Sequence, residues 1–569
     1  MTTHDLLIRG GTVVDGSGAA PYSADVAVTD GRITTVGQVD GPAHRTVEAD
    51  GALVTPGFVD VHCHYDGQAT WDSQLVPSAW HGVTTAVMGN CGVGFAPVHP
   101  ADHQKLIELM EGVEDIPGAA LHEGLAWDWE SFPEYLDAVD RRPHDIDIGA
   151  QVPHGALRLY VMGERGSSRE DATKEDIDAM GRLARQGIEA GALGFTTSRT
   201  RNHRTSTGDW TPTLTAAADE LAGIATLMAE SGAGVLQVVS DFANFDEEMA
   251  NVLGMAEASG RPLSVSVTQT YQRPEAWRRL LETIADANAH GMAVTAQVAA
   301  RPVGVLLGLQ ATIDPTRASA TARELTSLSL PDRVARLRQP EFRKIVLVEM
   351  AEAASVFPWD RVYPLGDPPD YEPDPSGSVA AEAARAGTTP ESVAYDHLLA
   401  DGGRGFLYVP FLNYADGNLD AVRSMLEDEH SVVGLGDGGA HVGTICDGSF
   451  PTTMLTHWVR DRSRGERMDL ALVVAKQTSR TATMIGLHDR GLVAEGMKAD
   501  LNVIDLDGLT LHRPTMAFDL PAGGKRLLQR ADGYLHTFVS GEEVYAQGEH
   551  TGALPGRLVR GGQPAPASR

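Results

Sequence analysis

Eight apolar, β-branched runs recur along the middle of the chain: GFVDVHCH, TTAVMGNC, DIGAQVPH, ALGFTTS, GVLQVVSD, PLSVSVTQ, AVTAQVAA and SVVGLGDG. Each is short enough for a strand and apolar enough to be buried on both faces, as strands of a parallel sheet are. Amphipathic helical stretches such as ADELAGIATLMAESG and AWRRLLETIADANAHG lie between them. Strand–helix alternation with eight strand candidates predicts an α/β fold, a (β/α)8 TIM-like barrel whose site lies at the C-terminal ends of its strands. Many of the runs end in polar residues there: His64, Cys91, His154, Ser198, Asp241, Gln269 and Asp437.

The two ends of the chain have another texture. Residues 1–55 read as short strands with Asp-Gly pairs at 15–16, 30–31 and 50–51, a hairpin signal. Residues 486–569 repeat that texture, so both termini are expected to meet in one small β-sandwich, 1–55 plus 486–569, flanking a barrel over 56–485. Two excursions interrupt the barrel. One, at 99–146, is rich in Trp, Pro and acids; the other, around 302–430, is long enough to carry its own structure as a lid or substrate-shaping element.

A chain of 569 residues suits a barrel plus a satellite domain. The excess of 77 acidic over 46 basic residues, net −31, argues against nucleic acid as a partner. Cys63, Cys91 and Cys446 form no disulfide framework. No basic region followed by an apolar stretch opens the chain, and no apolar run reaches the ~18 residues of a membrane span. The expectation is a cytoplasmic protein acting on a small molecule, with no membrane partner.

His62 and His64 sit at positions i and i+2, which emerge on one face of a strand and can grip one metal ion. Cys63 between them should point into the packing behind. Asp437 is a third candidate, as ligand and as the acid/base beside a metal-held water, or else a turn aspartate in LGDGG. Cys91, at the end of the neighbouring strand, is either a thiolate ligand or a small packed hydrophobe. Gly89, Gly92 and Gly94 would let the backbone approach a ligand. His154 is placed to stabilise an oxyanion, with Arg158 one turn on as a substrate contact. His203 is substrate-facing or solvent-exposed, His441 supports the ligands from behind, and His81 belongs to a helix surface. Trp71, Phe95, Trp127 and Trp129 are expected near the mouth.

These residues resemble the amidohydrolase superfamily, and within it the N-acyl-D-amino-acid deacylase (D-aminoacylase) family. LIRGGTVVDGSG, TPGFVDVHCHYD, HGVTTAVMGNCGVGFAP, PHGALR, GALGFTTS, FPTTMLTHWVR and DRGLVAEGMKADLNVIDL carry the likeness over most of the chain. The resemblance implies a zinc-dependent barrel that hydrolyses an amide-type C–N bond (an N-acyl amino acid or a related N-acyl, carbamoyl or cyclic amide) through a metal-bound hydroxide. It assigns metal roles to His62, His64, Cys91 and Asp437, and implies a homo-oligomer. That family takes a histidine from each of strands five and six, whereas VLQVVSDF and LSVSVTQT contain none. One zinc ion is therefore expected rather than two. The family's lysine and arginine for the substrate carboxylate are also missing; Arg199, Arg201, Arg204 and Arg301 are the available replacements. Two other readings fit the residues: an ester or lactone hydrolase, and a metal-free binding protein on the same fold.

Overall fold

The computed structural model describes residues 3–353 and 357–567. Its centre is a barrel of eight parallel strands in chain order: Phe58–Asp60, Val83–Met88, Asp147–Pro153, Gly194–Arg199, Val235–Ser240, Leu263–Val267, Val294–Val298 and Ser431–Val433. Six fall within the apolar runs read from the sequence, and the other two overrun theirs by one residue, at Val83 and at Arg199. Every residue of the second and third strands is buried, as strands covered on both faces must be.

The first strand is shorter than its apolar run, and this shapes the site. After Asp60 the regular ladder with the second strand stops, with Cys63 N–H still donating to Val87 O at 3.2 Å, and the chain also pairs with the segment beyond the eighth strand. Asp437 N–H donates to His62 O at 3.0 Å and His64 N–H to Gly438 O at 2.7 Å, with Cys63 bridged to Gly438. The barrel thus closes through the two segments that carry His62, His64 and Asp437. Cys63 faces away from them as expected: it is fully buried and its thiol donates to Val87 O at 3.1 Å.

Both termini join in one mixed nine-stranded sheet. Leu53–Pro56 links them, pairing with His4–Val13 on one side and with Leu501–Ile504 on the other. Asp30-Gly31 is a hairpin with both residues at positive φ (52° and 69°), joining Tyr22–Thr29 to Arg32–Gly37. Asp50-Gly51 makes a turn but no hairpin. Ala43–Glu48 and Leu53–Pro56 lie end to end, both parallel to His4–Val13. His81, expected on a surface, is fully buried: its ring nitrogens meet Thr452 Oγ1 at 2.7 Å and Gln529 O at 3.1 Å.

The 302–430 segment has its own three-stranded sheet, Gly304–Leu307, Tyr363–Pro364 and Leu407–Pro410, and its own apolar core around Leu337, Val346, Leu398 and Leu407. No helix among the described residues is long and apolar enough to cross a membrane.

A buried ion network ties the start of the third strand to the terminal region. Asp147 Oδ2 lies 2.7 Å from Arg490 Nη1 and 3.1 Å from Lys498 Nζ, and all three side chains are at most 3% exposed. Burial opposes ionisation of Asp147, but Lys498 and Arg490 outweigh it and hold its carboxyl below the usual range. A depressed carboxyl contributes stability above the unfolded-state value of about 3.9 and loses it as pH falls through the lower folded value. Asp147→Asn removes the carboxylate that both cations share, while Arg490 keeps Asp489 at 2.9 Å and Lys498 keeps Asp500 at 2.5 Å, so the expected cost falls below the roughly 3–5 kcal/mol of a fully unpaired buried charge. Denaturant unfolding near neutral pH checks the size, and convergence of the two proteins in strong acid checks the sign.

Candidate metal centre

Three donors converge where the barrel closes. One ligand atom each from His62, His64 and Cys91 lies within 4.8 Å of the others, and all three residues are buried. His62 Nε2 is 3.3 Å from Cys91 Sγ. Asp437 Oδ1 faces both imidazoles, 3.5 Å from His62 Nε2 and 3.7 Å from His64 Nε2. His62 is fixed from behind, its Nδ1 2.8 Å from Gln297 Oε1, which leaves Nε2 to point at the cluster.

The backbone here is held in uncommon conformations. Cys91, Asp437 and His441 have φ of 54°, 47° and 49°, in the left-handed region that non-glycine residues seldom occupy. Such residues cost about 1–3 kcal/mol each and gather at functional sites. The glycines around Cys91 serve the turn itself. A Cβ on Gly89 would stand 2.2 Å from Gln151 O, and one on Gly92 3.0 Å from Thr197 Cα. Their close approach is to the neighbouring strands.

The electrostatics suit a cation. Burial, with His441 adding to it, keeps His62 neutral at about 4, and burial with His62, His441 and His203 holds His64 far below its ordinary value. Neutral imidazoles offer a lone pair. Burial raises the Asp437 and Glu114 carboxyls and the Cys91 thiol well above their ordinary ranges, and neighbouring acids add to each. Both ring nitrogens of His64 and both carboxylate oxygens of Glu114 are buried without a hydrogen-bond partner. Buried polar groups in native proteins are nearly always paired. Two imidazoles, a thiol and a carboxylate are a donor set that zinc accepts, so the residues fit a metal ion.

Over this cluster lies a cavity of about 390 Å³, lined by His62, Cys91, His203, Asp437 and His441 and walled by apolar side chains including Phe242, Phe245, Trp277, Leu280 and Phe411. Val303, Val305, Phe411 and Leu412 of the wall come from the 302–430 segment.

A sequence profile of the Amidohydrolase family matches residues 45–545. The chain belongs to this family. D-aminoacylase of Alcaligenes xylosoxydans xylosoxydans is 26% identical over 566 residues, 98% of this chain and 97% of that protein. N-acyl-D-glutamate deacylase of the same organism is 28% identical over 569 residues, covering 98% and 96%. Among solved structures, N-acyl-D-glutamate deacylase from Bordetella bronchiseptica, complexed with zinc and a phosphonate inhibitor, superposes with a TM-score of 0.64 at 26% identity, covering 98% of this chain and 100% of that one. The protein is an enzyme of the deacylase-like kind, a metal-assisted amidohydrolase acting on C–N bonds other than peptide bonds.

Other residues singled out in this amidohydrolase are placed differently. His154 and Arg158 do not line the cavity. They form a buried cluster with Glu220, His154 Nε2 at 2.9 Å and Arg158 Nη1 at 2.6 Å from its carboxylate, while His154 Nδ1 meets Thr197 Oγ1 at 2.9 Å. Both ring nitrogens are thereby engaged. Arg199 is held bidentate by Glu248, both contacts at 2.8 Å, and Arg204 lies over the Trp210 ring at 4.8 Å. Arg301 is buried among Ser449, Thr453 and Asp447. His203 does reach the cavity, with its Nδ1 2.9 Å from Ser198 Oγ. The aromatic group of Phe95, Trp127 and Trp129 packs on itself, with ring centroids 5.7–5.8 Å apart, away from the cavity.

The fifth and sixth strands, Val235–Ser240 and Leu263–Val267, carry no histidine; their polar residues are Gln237, Ser240, Ser264 and Ser266. Asp241, the strongest ligand type near them, accepts from Thr200 Oγ1 at 2.5 Å and Arg201 N at 2.8 Å and so holds a loop.

Glu114 was not singled out from the sequence. It ends the helix His103–Glu114 and is 1% exposed. A signal was there: it stands four residues after Met110 and seven after Ile107, on the apolar face of that helix.

Proposed function

We propose that this amidohydrolase hydrolyses N-acyl amides with bulky apolar groups, using one zinc ion held by His62, His64, Cys91 and Asp437. The observation that carries the reading is the convergence of His62, His64 and Cys91 beside Asp437, beneath an apolar cavity at the barrel mouth. When bound there, a zinc ion supplies an acidified water and a Lewis acid for the amide carbonyl. A single ion is supported by the absence of imidazoles from strands five and six.

The chain's own groups account for the rest of the reaction. Asp437 takes a proton from the attacking water and delivers it to the departing nitrogen. Its place between the two imidazoles and the cavity suits both transfers. His203 is held by Ser198 through Nδ1, which leaves Nε2 to donate to the carbonyl oxygen as negative charge grows there. Burial and the nearby His441 and His62 keep this ring neutral, at about 3, so it donates without carrying charge. The apolar walls exclude water and bind the acyl or amine substituent. In this reading His154 and Arg158 support the wall through Glu220.

The substrate has no free carboxylate near the scissile bond. Arg273 is the one arginine or lysine among the described lining residues, and its guanidinium donates to Asp241 O and Phe242 O, each at 2.5 Å. A carboxylate placed here would lack the bidentate cation that normally recognises it.

The test is amine release by zinc-loaded and chelator-stripped protein from paired amides, one with a long or aromatic acyl group and one an N-acyl amino acid. The expected result is zinc-dependent release that favours the apolar amide; equal or greater turnover of the N-acyl amino acid contradicts the substrate reading. Phe411 gives a sharper check, being 38% exposed although large and apolar, at the cavity wall. Phe411→Ala is expected to lower kcat/KM for the apolar amide about 10–100-fold, from roughly 1.5–3 kcal/mol of lost burial. Its unfolding midpoint should stay close to that of the parent.

A further inference from the structure

Glu114 is a buried acid in a costly position. It is the last residue of the helix His103–Glu114, where the helix dipole disfavours a negative charge, and neither carboxylate oxygen has a hydrogen-bond donor. It is nevertheless held firmly. The next residue, Asp115, has a φ of 51°, and its carboxylate accepts from Gly443 N at 3.2 Å and Thr312 Oγ1 at 3.3 Å. The helix end is thereby fastened to the turn that carries His441. Glu114 Oε1 then lies 3.3 Å from His64 Nδ1, and Oε2 lies 3.7 Å from His441 Nε2.

We propose that Glu114 is a positioning residue of the metal centre, its carboxyl group standing 3.3 Å behind His64 Nδ1 so that it orients that ring when a metal is bound, with His441 Nε2 3.7 Å from its other oxygen. His64 thereby keeps Nε2 directed at the cluster, as Gln297 does for His62. The two imidazoles are held by unlike partners, an amide for His62 and a carboxylate for His64. A carboxylate behind a metal-bound imidazole fixes its tautomer and raises its basicity, and losing such a partner typically costs 10–100-fold in metal affinity. This inference rests on the reading of His64 as a metal ligand.

The experiment compares parent, Glu114→Gln, Glu114→Asp and His62→Ala/His64→Ala. Zinc affinity is read by competition with a chromophoric chelator, and the centre's geometry by the absorption spectrum of the cobalt(II)-substituted proteins. Glu114→Gln is expected to bind zinc about 10–100-fold more weakly, with Glu114→Asp recovering part of the loss. Its cobalt(II) spectrum should keep the thiolate charge-transfer band and the parent's coordination number, and the metal-free unfolding midpoint should stay close to the parent's, because glutamine is nearly isosteric and neither carboxyl oxygen accepts a hydrogen bond in the metal-free fold.

Unchanged zinc affinity in Glu114→Gln, or a lower coordination number that makes Glu114 a ligand itself, overturns the inference. Glu114→Asp guards against a folding failure of the glutamine variant: a folded aspartate variant with an intermediate affinity supports the role, and one indistinguishable from the parent counts against it. If His62→Ala/His64→Ala retains zinc, the ligand reading itself has failed.

Discussion

Asp437→Asn is expected to lower kcat for amide hydrolysis about 10²–10⁴-fold while leaving KM within a few-fold of the parent. That range is typical of losing a positioned acid/base. The substitution is close to isosteric, and asparagine is one of the few residues that tolerates the positive φ of 47° found here. The turn that closes the barrel, Asp437 N–H to His62 O, should survive because only the side chain changes. A loss confined to kcat is what removing a transition-state interaction produces; a rise in KM at constant kcat would mean that Asp437 only binds substrate. Steady-state kinetics on the zinc-loaded variant distinguish the two.

His62→Ala/His64→Ala is expected to lower kcat/KM by about 10³-fold or more. Several kcal/mol of transition-state stabilisation depend on the centre, and each 1.36 kcal/mol is tenfold in rate. Neither ring can be replaced by a neighbour. Gln297 is committed behind His62, and His441, which lines the cavity, has its Nε2 3.7 Å from Glu114 Oε2. The check is amine release at saturating zinc, with circular dichroism to show that the barrel is intact. Residual activity near the parent's would remove both imidazoles from the mechanism.

The barrel was legible because buried parallel strands must be written as apolar runs, and each of the eight runs became a strand. The pair His62 and His64 was legible for a similarly local reason, since i and i+2 on a strand share a face. Closure was not. The first strand ends at Asp60, and the segment carrying both histidines, besides one bond from Cys63 N–H to Val87 O, pairs with Gly438, a partner more than 370 residues away in the chain. Glu114 was missed because a single acid ending an amphipathic helix looks solvent-exposed until tertiary packing covers it. His154 and Arg158 looked like site residues because they follow a strand end; their partner Glu220, supplied by the helix after the fourth strand, draws them into the wall. The apolar cavity was expected from the tryptophans at 71, 127 and 129, but its walls come from Phe242, Phe245, Trp277 and Phe411. Aromatic content shows that such a surface can be built; topology decides which residues build it.

The most direct test of the central claim is metal content per chain, by elemental mass spectrometry on protein purified without chelator or added metal. The predicted result is one zinc ion per chain, absent from His62→Ala/His64→Ala. Protein that takes up no metal, even after reconstitution with zinc, would contradict it.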